Sequence, residues 1–165
     1  MGGGPEPEGE RDERHRGERL REALSRWASG VTIVAVRDGG RIHALTVSAF
    51  LPVSLDPPLV LVSLGPNASA LPYLHEDTEF AISILAADQR GLASRFADTF
   101  PVGPAPFPAE GAPVVEGALA AFTCRVTEIF PGGDHELVLA RVEEADADED
   151  RPALTWLNRE YHSIG

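Results

Sequence analysis

Residues 45–59, LTVSAFLPVSLDPPL, carry two small hydroxyls, Thr46 and Ser48, two positions apart in a strand-like run that closes on Pro57-Pro58. Strand periodicity sets both hydroxyls on one face. Short hydroxyls and open backbone beside a proline-stiffened turn suit hydrogen bonding to a planar polar ligand, and equally suit an ordinary strand and loop. Residues 65–69, Gly-Pro-Asn-Ala-Ser, precede the short apolar run 71–74. There the free N–H groups of a helix start and its dipole point the same way, which favours an anion. Of the five histidines, His15 and His75 sit in polar surroundings and read as solvated, and His43 falls within a strand. His135 follows Gly132, Gly133 and Asp134 at the head of a strand, so its ring projects either into a site mouth beside the Asp134 carboxylate or into solvent. Tyr161 and His162 near the chain end either lie over a ring-shaped ligand or anchor the terminus.

Other chemistries lack a basis. The sequence has no HExxH, CxxC, GxSxG or phosphate-loop motif, which argues against metal-dependent hydrolysis and serine-type acyl transfer. All 14 basic residues are arginine, which removes Schiff-base and phosphate-loop lysines. Against them stand 26 acidic residues and a net charge of −12, so neither nucleic acid nor an anionic membrane is expected as a partner. The single cysteine, Cys124, lies in an alternating apolar segment and is expected to be buried, with no disulfide framework or thiolate metal cluster. No apolar run has the length of a membrane span and the start does not read as a signal peptide, so a cytoplasmic protein is expected.

The elements that position these groups follow from periodicity. Residues 1–17 combine Gly, Pro and mixed charge with almost nothing apolar, and are expected to form a disordered tail ahead of one domain, 18–165. Leu20, Ala23, Leu24 and Trp27 have helical spacing, with Gly30 as the stop. The β-branched run 31–36 and the run 41–50 flank Asp38-Gly39-Gly40, a hairpin turn signal. Residues 59–64 form a nearly continuous apolar strand, expected to be buried on both faces. Residues 79–86 alternate as a strand, and 87–97 form a helix with Leu92, Ala93 and Phe96 inward and Asp88 as its cap. The proline-rich segment 98–113 reads as a long covering loop. A second hairpin joins 118–130 to 135–142, followed by an acidic loop, 146–151, and a closing segment, 154–164. Many short strands and a few minor helices predict a mainly β fold, a small barrel rather than a βαβ unit.

Five blocks, WASGVTIVAV, HALTVSAFLPVSLDPPLVLVSLG, FAISILAADQRGLASRFA, GDHELVLARV and EYHSI, occur in this order between residues 20 and 164. In that order they closely resemble the short-chain flavin reductase family, the reductase components of two-component flavin-dependent monooxygenases. The resemblance implies an FMN-binding split β-barrel of Greek-key type with a few short peripheral helices, assembled as a homodimer with flavin near the subunit interface. It implies NAD(P)H-dependent reduction of FMN, with FAD or riboflavin as alternatives, and delivery of reduced flavin to a partner monooxygenase. By this likeness Thr46, Val47, Ser48, Ala49, Phe50, Val53 and Ser54 hold the isoalloxazine and ribityl chain. Ser63, Gly65, Asn67, Ala68 and Ser69 turn toward the phosphate, and Phe96 and Ala97 approach the same cofactor. His135, as the catalytic residue, and Tyr161 and His162 lie on the nicotinamide side, where NADH or NADPH binds. No metal is implied.

The chain departs from the common pattern at Ala44, where many members have Gly, and at Ala68 and Ala70, where many have Ser and Thr. Phosphate binding would then lean on Asn67, Ser69 and backbone donors. Glu136 stands where a small hydroxyl is common, and its charge beside His135 disfavours NADPH. Hydride transfer from nicotinamide C4 to flavin N5 needs stacking and exclusion of water more than side-chain acids and bases, which agrees with the scarcity of candidate carboxylates. The alternative expectations are a non-catalytic flavin carrier and a split-barrel oxidoreductase using deazaflavin or another flavin.

Overall fold

The computed structural model describes residues 8–148 and 151–165. Its strands are β1 (Ser29–Gly30), β2 (Thr32–Asp38), β3 (Arg41–Val47), β4 (Phe50–Leu55), β5 (Pro58–Leu64), β6 (Glu79–Ile84), β7 (Ala120–Gly132), β8 (His135–Ala147), β9 (Ala153–Leu157) and β10 (Glu160–Ile164), with helices α1 (Glu8–Leu24) and α2 (Arg90–Ala97). Seven strands form one antiparallel sheet in the order β3-β2-β6-β7-β8-β5-β4, and β1-β9-β10 form a second. β3 and β4 stand at opposite edges of the large sheet, yet only Ser48 and Ala49 separate them in the chain. So short a link spans no more than about 11 Å. The sheet therefore rolls until its edges meet, and at that corner Ser63 N–H donates to Ala49 O at 3.0 Å. No ladder joins β3 to β4 among the described residues, so the barrel is split, as expected.

Alternation along the strands fills two cores. Val34, Val36, Val60, Val62, Phe80, Ile82, Cys124, Val126 and Val138 point into the barrel. Ile33 and Ala35, on the other face of β2, pack with Leu85, Ala93, Phe96, Phe107, Val115 and Leu154 beneath α2 and the long loop. Both faces of β2 are thus covered. β5 differs from expectation: Val60, Val62 and Leu64 are buried, but Leu59, Leu61 and Ser63 are only half-buried, and Leu61 and Ser63 face an open cavity rather than a packed layer. Burial, and secondarily the Glu143 charge, pushes the Cys124 thiol up to about 12.

The N-terminal reading needs correction. Residues expected in a disordered tail are helical from Glu8, and α1 runs to Leu24 rather than to Gly30. Oppositely charged residues four apart, such as Asp12 and Arg16, suit a solvated helix without an apolar face. Ser25 Oγ donates to Glu22 O at 2.7 Å where the helix ends, and Gly30 pairs with Thr155 in β1. The part of the expected tail in residues 1–7 lies outside the described residues. Other boundaries shift too. The strand expected over 41–50 breaks at Ser48, and the acidic segment continues β8 to Ala147. The closing segment is a hairpin, β9–β10, turning on Asn158 and Arg159, both at positive φ. Asp88 pairs with Arg151 at 2.8 Å instead of capping the helix, where Gln89 Oε1 accepts from Ala86 N–H at 3.0 Å.

The loop between α2 and β7 is held by polar staples. Arg37 Nη2 donates to Pro108 O at 2.7 Å, and Val115 N–H donates to the buried Ser83 Oγ at 2.9 Å. These bonds seat Phe107 on Phe96, with ring centroids 5.6 Å apart. Ser83→Ala leaves the Val115 N–H without a partner in a dry site and is expected to cost about 1–3 kcal/mol, read as a lowered melting temperature in calorimetry.

Candidate functional site

The corner that closes the barrel also opens a cavity. Its volume is about 510 Å³, and it lies between the end of α1, the Ser48–Leu51 corner, β5 and the β9–β10 hairpin. Trp27, Phe50, Leu51, Leu61 and Trp156 give it apolar walls; Ser29, Ser48 and Ser63 contribute hydroxyls; Arg21 and Arg159 contribute cations, with no carboxylate among its lining. Neither Ser48 nor Ser63 spends its hydroxyl on a hydrogen bond among the described residues. Flat apolar walls with a few unspent donors accommodate a planar heteroaromatic ligand, and the volume falls in the usual range for such sites.

Of the residues read from sequence, Ser48, Ala49, Phe50 and Ser63 line this cavity. Thr46 does not. Its hydroxyl donates to Ala93 O at 2.7 Å and ties β3 to α2, so the two hydroxyls predicted to share a face part company where β3 ends. Val47 is buried in the barrel. Val53 and Ser54 lie on β4 beyond a register shift, outside the cavity lining. Phe96 is buried against Phe107, and Ala97 is exposed at the end of α2.

His135 joins the cavity's face by alternation. Leu61 and Ser63 point one way from β5, and Gly65 is the next position on that side. A Cβ on Gly65 would lie 3.7 Å from His135 Nε2, so the imidazole sits over the side-chain-free glycine. The ring is oriented from behind by Nδ1 and Asp134 Oδ1, 2.7 Å apart. The hydrogen bond from His135, with its charge as the second cause, holds the Asp134 carboxyl below its ordinary value of 3.8.

The 65–69 turn is less free than the sequence suggests. Ala68 N–H donates to Gly65 O at 3.0 Å, and Ser69 Oγ donates to Ala44 O at 3.1 Å. Ala68 packs against the barrel core, Asn67 is exposed, and only a single 3₁₀ turn, Leu71–Tyr73, follows. Tyr161 stands one ring behind the cavity wall, its centroid 4.7 Å from that of Trp156. Burial raises its phenol, while Ser94 and Arg90 act against that shift. His162 faces Leu157 O at 3.2 Å on its own hairpin.

Sequence reasoning missed Arg21, Trp27, Trp156 and Arg159. The first two lie on a segment read only as an amphipathic helix, and the last two on a hairpin whose turn has no glycine. An arginine among the apolar spacings of α1 was the available signal.

A split antiparallel barrel whose corner cavity has apolar walls, hydroxyls and no carboxylate in its lining has the chemistry to accept a planar aromatic ligand. Comparison with known proteins narrows the class. The family model described as "Flavin reductase like domain" matches residues 24–165, and the chain belongs to this family. The chain is 38% identical over 151 residues to the reductase component of 4-hydroxyphenylacetate 3-monooxygenase from Thermus thermophilus, covering 89% of this chain and 96% of that one. It is 41% identical over 147 residues to an NADH-dependent flavin reductase from a Rhodococcus species, covering 83% and 81% of the two chains. Among solved structures, the native state of the flavin reductase PheA2 superimposes with a TM-score of 0.82 at 33% identity, covering 90% of this chain and 97% of that one.

The His135–Asp134 pair has a testable signature. A depressed carboxyl contributes stability above the ordinary aspartate range and loses it as pH falls through its folded pKa. In a carboxyl-detected NMR titration, Asp134 is expected to titrate below 3.8 and to move upward in His135→Ala.

Proposed function

We propose that the chain is an NAD(P)H-dependent flavin reductase that binds FMN in the corner cavity, with FAD and riboflavin as weaker alternatives. The observation that carries this reading is the carboxylate-free cavity walled by Trp27, Phe50 and Trp156, with Ser48 and Ser63 free to donate. These residues fit an isoalloxazine: the apolar walls sandwich a flat ring, and the hydroxyls address its polar edge. When bound, the flavin supplies the hydride acceptor. The chain's own residues exclude water and fix the approach of the donor. His135, at the Gly65 end of the same face, orients the nicotinamide, with Asp134 holding the imidazole. Tyr161, through Trp156, backs the wall.

NADH is the proposed donor, supported by Glu136 beside His135 and by relatives named as NADH-dependent reductases. The reduced flavin is proposed to pass to a flavin-dependent monooxygenase, in keeping with relatives named as reductase components. The proposed compartment is the cytoplasm, where reduced nicotinamide is available. Among the described residues, no helix is long and apolar enough to cross a membrane.

A homodimer is proposed on the evidence of an apolar face the chain leaves uncovered. Leu51, Leu61, Leu137 and Leu139 share one side of β4, β5 and β8 by register. Leu24 is 59% exposed and Trp27 75% exposed, and both line the same cavity as Leu51 and Leu61, so large apolar side chains gather there in water. Sedimentation equilibrium is expected to give twice the chain mass; a monomer at micromolar concentration would refute the dimer.

Anaerobic mixing of the chain, FMN and NADH tests the activity. Bleaching of flavin absorbance with turnover is expected, whereas binding without bleaching would indicate a carrier. His135→Ala is expected to slow reduction about tenfold or more while leaving FMN affinity nearly unchanged. An unaltered rate would remove His135 from the reaction.

A further inference from the structure

Leu45 and Val47, on one face of β3, pack into the barrel core, and His43 is the next position on that face. This histidine, in line with two core residues, has a cover of its own. Its ring lies on that of Tyr73, with centroids 3.7 Å apart and planes 17° apart, and both side chains are half-buried. β3 is an edge strand, so the stack is made on the side of β3 that no ladder occupies.

Tyr73 belongs to the segment that follows β5. That segment pairs with no strand, and its own bonds are local: Ala68 N–H to Gly65 O at 3.0 Å, Leu71 N–H to Ala68 O at 3.1 Å and Tyr73 N–H to Ala70 O at 3.0 Å. Ala70 and Leu74 are buried in the barrel. Two ties reach from the segment to β3: Ser69 Oγ donates to Ala44 O at 3.1 Å, and Tyr73 stacks on His43. Among the described residues, the N–H groups of Asn67, Ser69 and Ala70 donate to no backbone carbonyl. Free N–H groups gathered in one turn favour an anion, and the family likeness assigns this turn to the flavin phosphate.

We propose that His43 and Tyr73 are positioning residues, whose stack clamps the turn after β5 to the edge of β3 and so holds its free N–H groups in place for the flavin phosphate. The inference rests on the flavin reading and adds the device that fixes one end of the ligand. With the Ser69 bond alone the segment would be free to pivot about one point of β3. The stack supplies a second point, at the adjacent β3 residue and four positions further along the segment. Only the single 3₁₀ turn Leu71–Tyr73 separates the Tyr73 ring from Ala70, so a shift of the ring carries the donors with it.

Fluorescence titration of the full chain with FMN and with riboflavin tests the assignment. Removing the stack in His43→Ala is expected to weaken FMN about fivefold and riboflavin less than about twofold, because riboflavin has no phosphate to misplace. Tyr73→Leu, which keeps apolar cover over the barrel, is expected to do the same, and the double variant no more than either alone. His43→Phe restores an aromatic face and is expected to return FMN binding to that of the parent. Equal losses for both flavins would show a general loosening of the barrel and overturn the inference. So would unchanged FMN affinity in His43→Ala, additive losses in the double variant, or failure of His43→Phe to rescue. A parent that binds riboflavin as tightly as FMN would overturn it too, since no phosphate grip would exist to position, and would leave the flavin reading intact. Failure of the parent to bind either flavin would instead overturn the flavin reading itself, and the role of the stack with it.

Discussion

The Ser48–Ala49 link governs this protein. A flat sheet with β3 and β4 at its far edges could not be joined by so short a connection, so the roll of the sheet follows from chain length alone. The Ser63–Ala49 hydrogen bond then sets the corner. Residues released from pairing at that corner cannot be satisfied by a ladder, and their backbone and hydroxyls face the cavity. The same link that closes the fold therefore creates its most receptive surface.

Coverage of the rolled sheet is uneven. Arg37 and Ser83 hold the long loop over β2 and β6, and Phe107 and Phe96 lock it to α2. Over β5 and the corner the end of α1 and the β9–β10 hairpin leave a cavity instead of a packed layer, and Leu61, Leu137 and Leu139 stay half-buried. A strand as apolar as β5 with one half-buried face leaves apolar surface in water, and both the ligand and the second copy proposed above would draw on it.

Charge is distributed in keeping with that division. The close ion pairs, Arg125 with Glu143 at 2.7 Å and Arg151 with Asp88 at 2.8 Å, lie away from the cavity and fasten strands and loops at the surface. Such exposed pairs contribute little each and serve mainly to set geometry. The charged residues of the cavity lining are both arginines, a local positive field on an acidic chain. His135 shares one face of β8 with Leu137 and Leu139, and Asp134, 2.7 Å from its Nδ1, fixes the ring's orientation.

Local signals were enough for much of the chain. The Asp38-Gly39-Gly40 and Gly132-Gly133-Asp134 turns and the apolar runs of β5 and β6 each report on neighbours a few residues away, and the hairpins and strands form there, although the strand expected over 79–86 ends at Ile84 and β6, not β5, is buried on both faces. The five-block order carried the family. The site was legible only where it coincides with the corner, at Ser48, Ala49, Phe50 and Ser63. Thr46 looked equivalent to Ser48, but whether a hydroxyl is free depends on what packs against it, and α2 claimed the first and not the second. The start of α1 was misread because its first turns, rich in charge and without apolar residues, show no apolar period. Arg21 and Arg159 are 138 positions apart; only the folding of a hairpin onto the end of a helix puts them at one mouth. The sequence by itself marked the two glycine hairpins and most of the strands, because turn chemistry and alternation are local, and the five-block order pointed to the corner at Ser48. The tertiary structure decided which hydroxyls stay free, where His135 stands and which cations share the cavity, because those depend on contacts between residues remote in the chain.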